Sequence, residues 1–253
     1  MKKTILIVAA IVILSGAAAV AYSVLRSPAE ASQPISAVPL ATDAPGAAYP
    51  AEVSQPEAAP AYPVGQASTA PAASTSDSLL FQIVPTESSV RFIIDEILNG
   101  SPKTVIGETD QIAGQIEVNF SEPAASRVGQ IQVNARTLTT DSNFRNRAIN
   151  NAILQTGSYE FITFNPTSLS GLPASATVGD TFTFQVTGDL TIRDITQMVT
   201  FEVEIIVVSE SRLSGKASAT IQRADYKLVI PEVPSVAGVD EAVKLEIDFT
   251  ATR

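Results

Sequence analysis

Two of the side chains that carry most enzyme chemistry are missing, since the 253-residue chain has no cysteine and no histidine. Their absence removes thiol nucleophiles, disulfides, zinc sites built on imidazole or thiolate, and every Ser-His or Cys-His device. A lipid-modified N-terminal cysteine is excluded for the same reason. Basic side chains are scarce too: 16 Lys and Arg stand against 26 Asp and Glu, a formal net charge of -10. Phosphate backbones need Lys and Arg to displace counterions, so nucleic acid is excluded as a partner, and so is broad docking on an anionic membrane surface.

What is present falls into three parts: 1–26, 27–78 and 79–253. Lys2 and Lys3 precede an uncharged run over 5–25, about the 20 residues that a helix needs to cross a bilayer. Read as an anchor, it attaches the chain to the cytoplasmic membrane with the positive end inside and the remainder exported. Read as a signal peptide, it offers Ala19-Val20-Ala21 for cleavage before Tyr22. Both readings place the rest outside the cytoplasm. The stretch 27–78 carries Pro every few residues and few large apolar side chains, which predicts a disordered, semi-extended linker. As a spacer it would reach roughly 150 Å fully extended and average about 40 Å as a coil.

From 79 onward the apolar residues alternate with polar ones, the signal of strands with one buried face. Val90, Phe92 and Ile94 share a face, as do Ile112, Ile116 and Val118, then Ile131 and Val133. The longest run, Phe182 to Ile192, keeps its even-numbered residues apolar, and Val199 to Ile205, Leu213 to Ile221 and Val243 to Ala251 follow. With a strand over 159–164, about eight antiparallel strands are expected, as a sandwich or a closed barrel. Gly114, Gly188, Gly215, Ala217 and Ala219 lie on the apolar face. Small residues there either leave room for a ligand or fit against bulky neighbours.

The segment 137–164 is the exception to this all-β pattern. Asp141 is a candidate N-cap, and Phe144, Ala148, Ile149 and Ile153 fall at helical spacing. Gly157 is a candidate end for the helix. Such a stripe serves as ordinary core or as a lid. Arg145 and Arg147 are either solvated surface residues or contacts for an anionic head group.

Several stretches together resemble the YceI-like, polyisoprenoid-binding family: Ser88-Ser89-Val90-Arg91-Phe92, Gly114-Gln115-Ile116, the whole of 137–164, Val186 to Thr196 with its Gly-Asp-Leu-Thr-Ile core, Ala217 to Tyr226, and Val243 to Ile247. The resemblance implies an extended eight-stranded antiparallel lipocalin-like β-barrel over 79–253, with an apolar tunnel for a long isoprenoid lipid or quinone and no other cofactor. It implies tunnel walls from Phe92, Ile94, Ile116, Val118, Ile131 and Val133 on the early strands. Phe161, Phe164, Phe182, Phe184, Val186 and Leu190 continue them, and Val203, Ala217, Ala219, Leu245 and Ile247 complete them. Phe144, Ala148, Ile149 and Ile153 become the lid, with Arg145 and Arg147 near the head group. The chain departs from the family where members commonly carry a His after the first strand and an Arg-Asp pair followed by a His in the helix. Here those positions hold Asp95-Glu96 and Arg145-Asn146.

A catalytic reading has only carboxylates, Tyr and hydroxyls to work with. Asp95 and Glu96 are adjacent on a strand and point to opposite faces, so they cannot serve one site. Asp189 and Asp194 flank a strand as turn residues do, and no EF-hand pattern is present. No catalytic residue and no metal ligand is assigned. A surface interaction module with a barrel filled by its own side chains is the alternative to a lipid carrier.

Overall fold

Alternation becomes sheet in a computed structural model of the chain, which describes residues 26–40 and 78–253. Strand β1 (Ser78–Ile83) leads into the hairpin of β2 (Ser89–Leu98) and β3 (Ser101–Thr109). Its two-residue turn holds Asn99 and Gly100 at φ 51° and 80°, the left-handed geometry that suits the twist of paired strands. Strands β4 (Ile112–Ala113) and β5 (Gln115–Asn119) flank Gly114, and β6 (Arg127–Val128) and β7 (Ile131–Asn134) follow. One helical excursion intervenes, α1 (Asn143–Ala148) running on as a π-helical turn over Ile149–Ile153. Then come β8 (Phe161–Ser170), β9 (Thr181–Ile192), β10 (Ile195–Ser209) and β11 (Arg212–Gln222) as a meander, and finally β12 (Val236–Val239) and β13 (Ala242–Thr252).

All pairings are antiparallel, in the order β4-β7-β8-β9-β10-β11-β13-β1-β5-β6. Strand β13 serves three partners, β11 along its whole length on one edge, and β2 through Lys244 to Asp248 and β1 through Ala251 and Thr252 on the other. Because β4 and β5 are separated by Gly114 alone, and the Ile83 amide donates to the Gly114 carbonyl at 3.0 Å, the sheet curls back toward its own beginning. The result is a mostly β, curled antiparallel sheet with one short helix. Among the described residues it counts 13 strand segments where about eight were expected. The additions are short or weakly patterned: β3 buries only Val105, Gly107 and Thr109, so its apolar signal is thin.

The inner face is the predicted one on the long strands. Val186, Leu190 and Ile192 of β9 and Phe201, Val203, Ile205 and Val207 of β10 are buried, while Gln185, Asp189, Glu202 and Glu204 are exposed. Phe164 and Phe201 meet edge to face with centroids 5.0 Å apart, worth about 0.5–1.5 kcal/mol beyond the area they bury. The glycines do not leave the room that their size allowed. A Cβ at Gly215 would stand 2.5 Å from the Phe249 ring, and one at Gly188 would stand 2.4 Å from the Asn165 carbonyl oxygen. Gly188 thus admits the backbone of β8 where Pro166 sits beside a register shift.

The anchor or signal reading of residues 1–25 lies outside the described residues, as does most of the linker. Among the described residues no helix is long and apolar enough to cross a membrane. Residues 26–40 carry no regular secondary structure and run along the domain.

Candidate ligand-binding cavity

The inward faces leave two adjoining spaces. The larger, about 970 Å³, lies between β2, β3, α1 with its π turn, and the segment 228–239. The smaller, about 140 Å³, lies deeper among β5, β7, β9, β10 and β13 and has only apolar lining residues. Val90, Val133, Ile162 and Leu245 are walls of both. Ligand pockets usually span about 300–1,000 Å³, so the wide part stands at the upper end of that range.

Phe92 and Ile94 line the wide part and Val133 and Leu245 both parts. Ile116, Ile131, Phe164, Phe184, Val186, Leu190, Val203, Ala217 and Ile247 line the narrow part. Val118, Phe182 and Ala219 pack against the core without lining either space. Phe161 is 37% exposed and stands outside both. Of the even-numbered side chains of β9, Phe184, Val186, Leu190 and Ile192 reach the two spaces.

The helix closes one side of the wide part, and Phe144, Ala148, Ile149 and Ile153 all face it. Its ends differ from expectation. Ser142 is the N-cap, accepting the Arg145 amide at 3.4 Å, because Asp141 is turned to Lys103 and Arg145 instead. The helical stretch stops at Ile153, and Gln155 rather than Gly157 takes the left-handed conformation at φ 50°. Asn146 accepts both the Thr140 amide and hydroxyl at 2.7 Å, fixing the turn that enters the helix.

The charges at the rim are paired. Arg145 donates to Glu96 at 2.6 Å and to Asp141, and Lys103 meets Asp141 at 2.5 Å. The Lys103 hydrogen bond, with the charges of Arg145 and Lys103, outweighs desolvation and holds the Asp141 carboxyl below its ordinary range. Glu96 is 8% exposed and faces the cavity, while Asp95 points outward to Thr104, the opposite-face placement expected for adjacent strand residues. Arg147 is exposed and is not among the lining residues.

Sequence reasoning missed the floor of the wide part. Leu228, Ile230, Val233 and Val236 line it, although the run Leu228-Val229-Ile230 was a usable apolar signal. Arg223 fastens this stretch by donating to the carbonyls of Asp240, Leu228 and Val239 and to Glu241. Arg193 likewise ties the β9–β10 turn to the carbonyls of Ile153, Tyr226 and Lys227. Among the described residues no group of three potential ligands could hold a metal ion.

Residues 26–40 touch the far side of the helical layer. Asn151, buried on the π turn, donates to the Arg26 carbonyl at 2.8 Å. Arg136 donates to the Glu30 carbonyl, and Glu160 accepts the Ser32 amide and hydroxyl, each at 2.8 Å. Burial would raise the Glu160 pKa, but those two bonds, with Asn134 and the Arg136 charge, hold it below its ordinary value.

The family model for the YceI-like domain matches residues 81–251. Solved structures share the fold, and two of them are the following. One is a polyisoprenoid binding domain from Saccharophagus degradans, 15% identical with a TM-score of 0.54, covering 68% of this chain and 97% of that one. The other is Burkholderia cenocepacia BcnA, 17% identical with a TM-score of 0.53, covering 67% of this chain and 99% of that one. No curated protein matches the sequence.

Proposed function

The chain belongs to the YceI-like domain family, and on that footing we propose that it binds a long-chain isoprenoid or similar amphiphilic lipid without catalysis, outside the cytoplasm. The observation that carries this reading is the apolar wide cavity continuing into a wholly apolar narrow one. A related fold whose described ligand class is polyisoprenoid supports it.

The energetics follow from burial. Each buried CH₂ contributes about 0.8 kcal/mol, so a few isoprene units outweigh the rotational and ordering costs of binding. The narrow part takes the tail, and the wide part takes the bulkier end. Each cation of the lining is engaged by a carboxylate: Arg145 by Glu96 and Asp141, Lys103 by Asp141, Arg223 by Glu241, and Arg91 by Glu246 and Asp248. A phosphate entering here would have to displace those partners. An uncharged hydroxyl or quinone head group therefore fits better than an anionic one, and Arg145 remains a hydrogen-bond donor to it.

The test is extraction of the protein purified from its own host, followed by mass spectrometry of the bound lipid. A prenyl lipid in stoichiometric amount is expected. Repeatedly empty preparations that also fail to take up prenyl alcohols or quinones in vitro would overturn the reading. A barrel filled by its own side chains is disfavoured, because the wide part keeps about 970 Å³ open.

A further inference from the structure

The segment 26–40 has buried partners waiting for it. Asn151 is 7% exposed and its amide is spent on the Arg26 carbonyl. Glu160, with a side chain 11% exposed, presents both oxygens to Ser32 while Asn134 and Arg136 hold it in place from behind. At the other end the Leu40 amide donates to Gln115 at 2.8 Å, and the Leu40 side chain lies where Gly129 has no Cβ. Leaving such donors and acceptors buried without partners costs about 1–3 kcal/mol each. This segment is therefore part of the domain rather than the first length of a free spacer.

The consequence is geometric. The uncharged run ends at Leu25, and the next residue, Arg26, is fastened to the π turn that closes the wide cavity. A residue of extended chain spans at most about 3.6 Å, so no slack separates the end of that run from the lid. Beside the strap's acceptor Glu160, Phe161 is 37% accessible, and the helix that runs into the same π turn exposes Phe144, 49% accessible, and Arg147. Aromatic and basic side chains of this kind suit the boundary between head groups and acyl chains.

We infer that residues 26–40 form a strap that holds the lid side of the cavity against the lipid bilayer in which the apolar run is anchored, so that the cavity exchanges its ligand directly with the membrane surface. This rests on the lipid-binding reading above and on the anchor rather than the signal-peptide reading of 5–25. It replaces a domain ranging about 40 Å from the bilayer on a coil with one seated on it. The contact is imposed by the strap and by apolar side chains, so a net charge of -10 does not oppose it as it would oppose docking by charge alone.

The absence of cysteine makes the test clean. Single variants Arg147→Cys on α1 and Val178→Cys before β9 each take one fluorophore on the full chain, reconstituted in phosphatidylethanolamine/phosphatidylglycerol vesicles carrying a head-group acceptor. The 12 residues of β9 separate the two ends, a span of roughly 40 Å at 3.3 Å per residue. Strong transfer is expected from position 147 and weak transfer from 178. Ser32→Pro removes the strap's amide and hydroxyl without altering the sheet or the helix, and Glu160→Gln weakens the acceptor. Each should reduce the contrast between the labels at least threefold while prenyl-alcohol affinity stays within twofold. Equal transfer from both labels on vesicle-bound chain, or a contrast that neither variant changes, overturns the strap while leaving lipid binding standing. A chain that does not float with the vesicles overturns the anchor and the strap together. Failure to bind prenyl lipids with the contrast intact overturns the ligand reading alone.

Discussion

The two ends of the cavity are built on different principles. The deep end is a β interior in which strands place one apolar side chain every second residue, and rings such as Phe164, Phe201 and Phe249 fill most of the space. The wide end adds to β2 and β3 a short helix, a π turn and the segment 228–239, fastened by Arg145, Arg193 and Arg223 and by only the short pairing of β12 with β2. The deep end secures the fold, and the wide end provides the volume. On the proposed lipid-binding reading, the cooperative packing thus lies away from the end through which a ligand enters.

The strongest way to break this comparison is to remove side chains from each end. Phe201→Ala should cost about 3–5 kcal/mol, since it opens a hole in the close-packed deep end. Ile153→Ala faces space that already exists and should cost about 1 kcal/mol. Urea unfolding of the delipidated protein reads both, and equal costs would show that the wide end is as tightly packed as the deep end.

The same contrast explains what was legible in the sequence. Alternation from Phe182 to Ile192 and from Val199 to Ile205 gave the deep wall with its inward face, because a strand's period of two leaves a direct trace. The lid stripe was readable for the same reason at helical period. Its caps were not, because Asp141 is drawn off the cap position by Lys103 of β3 and by Arg145, and Ser142 caps in its place. The floor from Leu228 to Val236 was hidden by Pro231 and Pro234, which mark a turn but do not say that its apolar side chains point inward. Gly215 and Gly188 left two readings open, and only the fold reveals that Phe249 and the β8 backbone occupy the space beside them.

Ligand length sharpens the comparison at a smaller scale. Ala148→Phe puts bulk into the wide end and should weaken prenyl alcohols of every length by about tenfold or more. Ala217→Leu at the deep wall should weaken only the long ones, at a cost to stability of about 1–3 kcal/mol from overpacking. A series of prenyl alcohols competing for a fluorescent lipid measures both, and a uniform effect from Ala217→Leu would mean that the tail stops short of the narrow part. Glu96→Gln addresses the head group. It frees Arg145 from one of its two carboxylates, so affinity for a prenyl phosphate should rise about tenfold, the equivalent of one charge-assisted hydrogen bond. Affinity for the alcohol should hardly change. An unchanged phosphate affinity would show that the Glu96–Arg145 pair does not set the preference.

The smallest effect concerns a polar group buried behind the wide end, where the deep end has none in its lining. Tyr226 is 1% exposed and its hydroxyl has no partner among the described residues. Burial, and then the nearby Asp225 carboxylate, push its pKa up to about 12. Removing a buried, unpaired hydroxyl relieves a desolvation cost of about 1–3 kcal/mol, and the small void left behind offsets part of that gain. Tyr226→Phe should therefore leave stability unchanged or raise it by up to about 1 kcal/mol at neutral pH. The pH dependence gives the sign independently. A tyrosine whose folded pKa lies above its unfolded value of about 10 keeps its full contribution below that pH and loses it as pH climbs through the folded value. The parent protein should thus lose stability relative to Tyr226→Phe between about pH 10 and 12, as read from paired urea titrations. Parallel curves across that window would mean that the hydroxyl is solvated or paired. The wide end would then be as free of buried polar strain as the deep one.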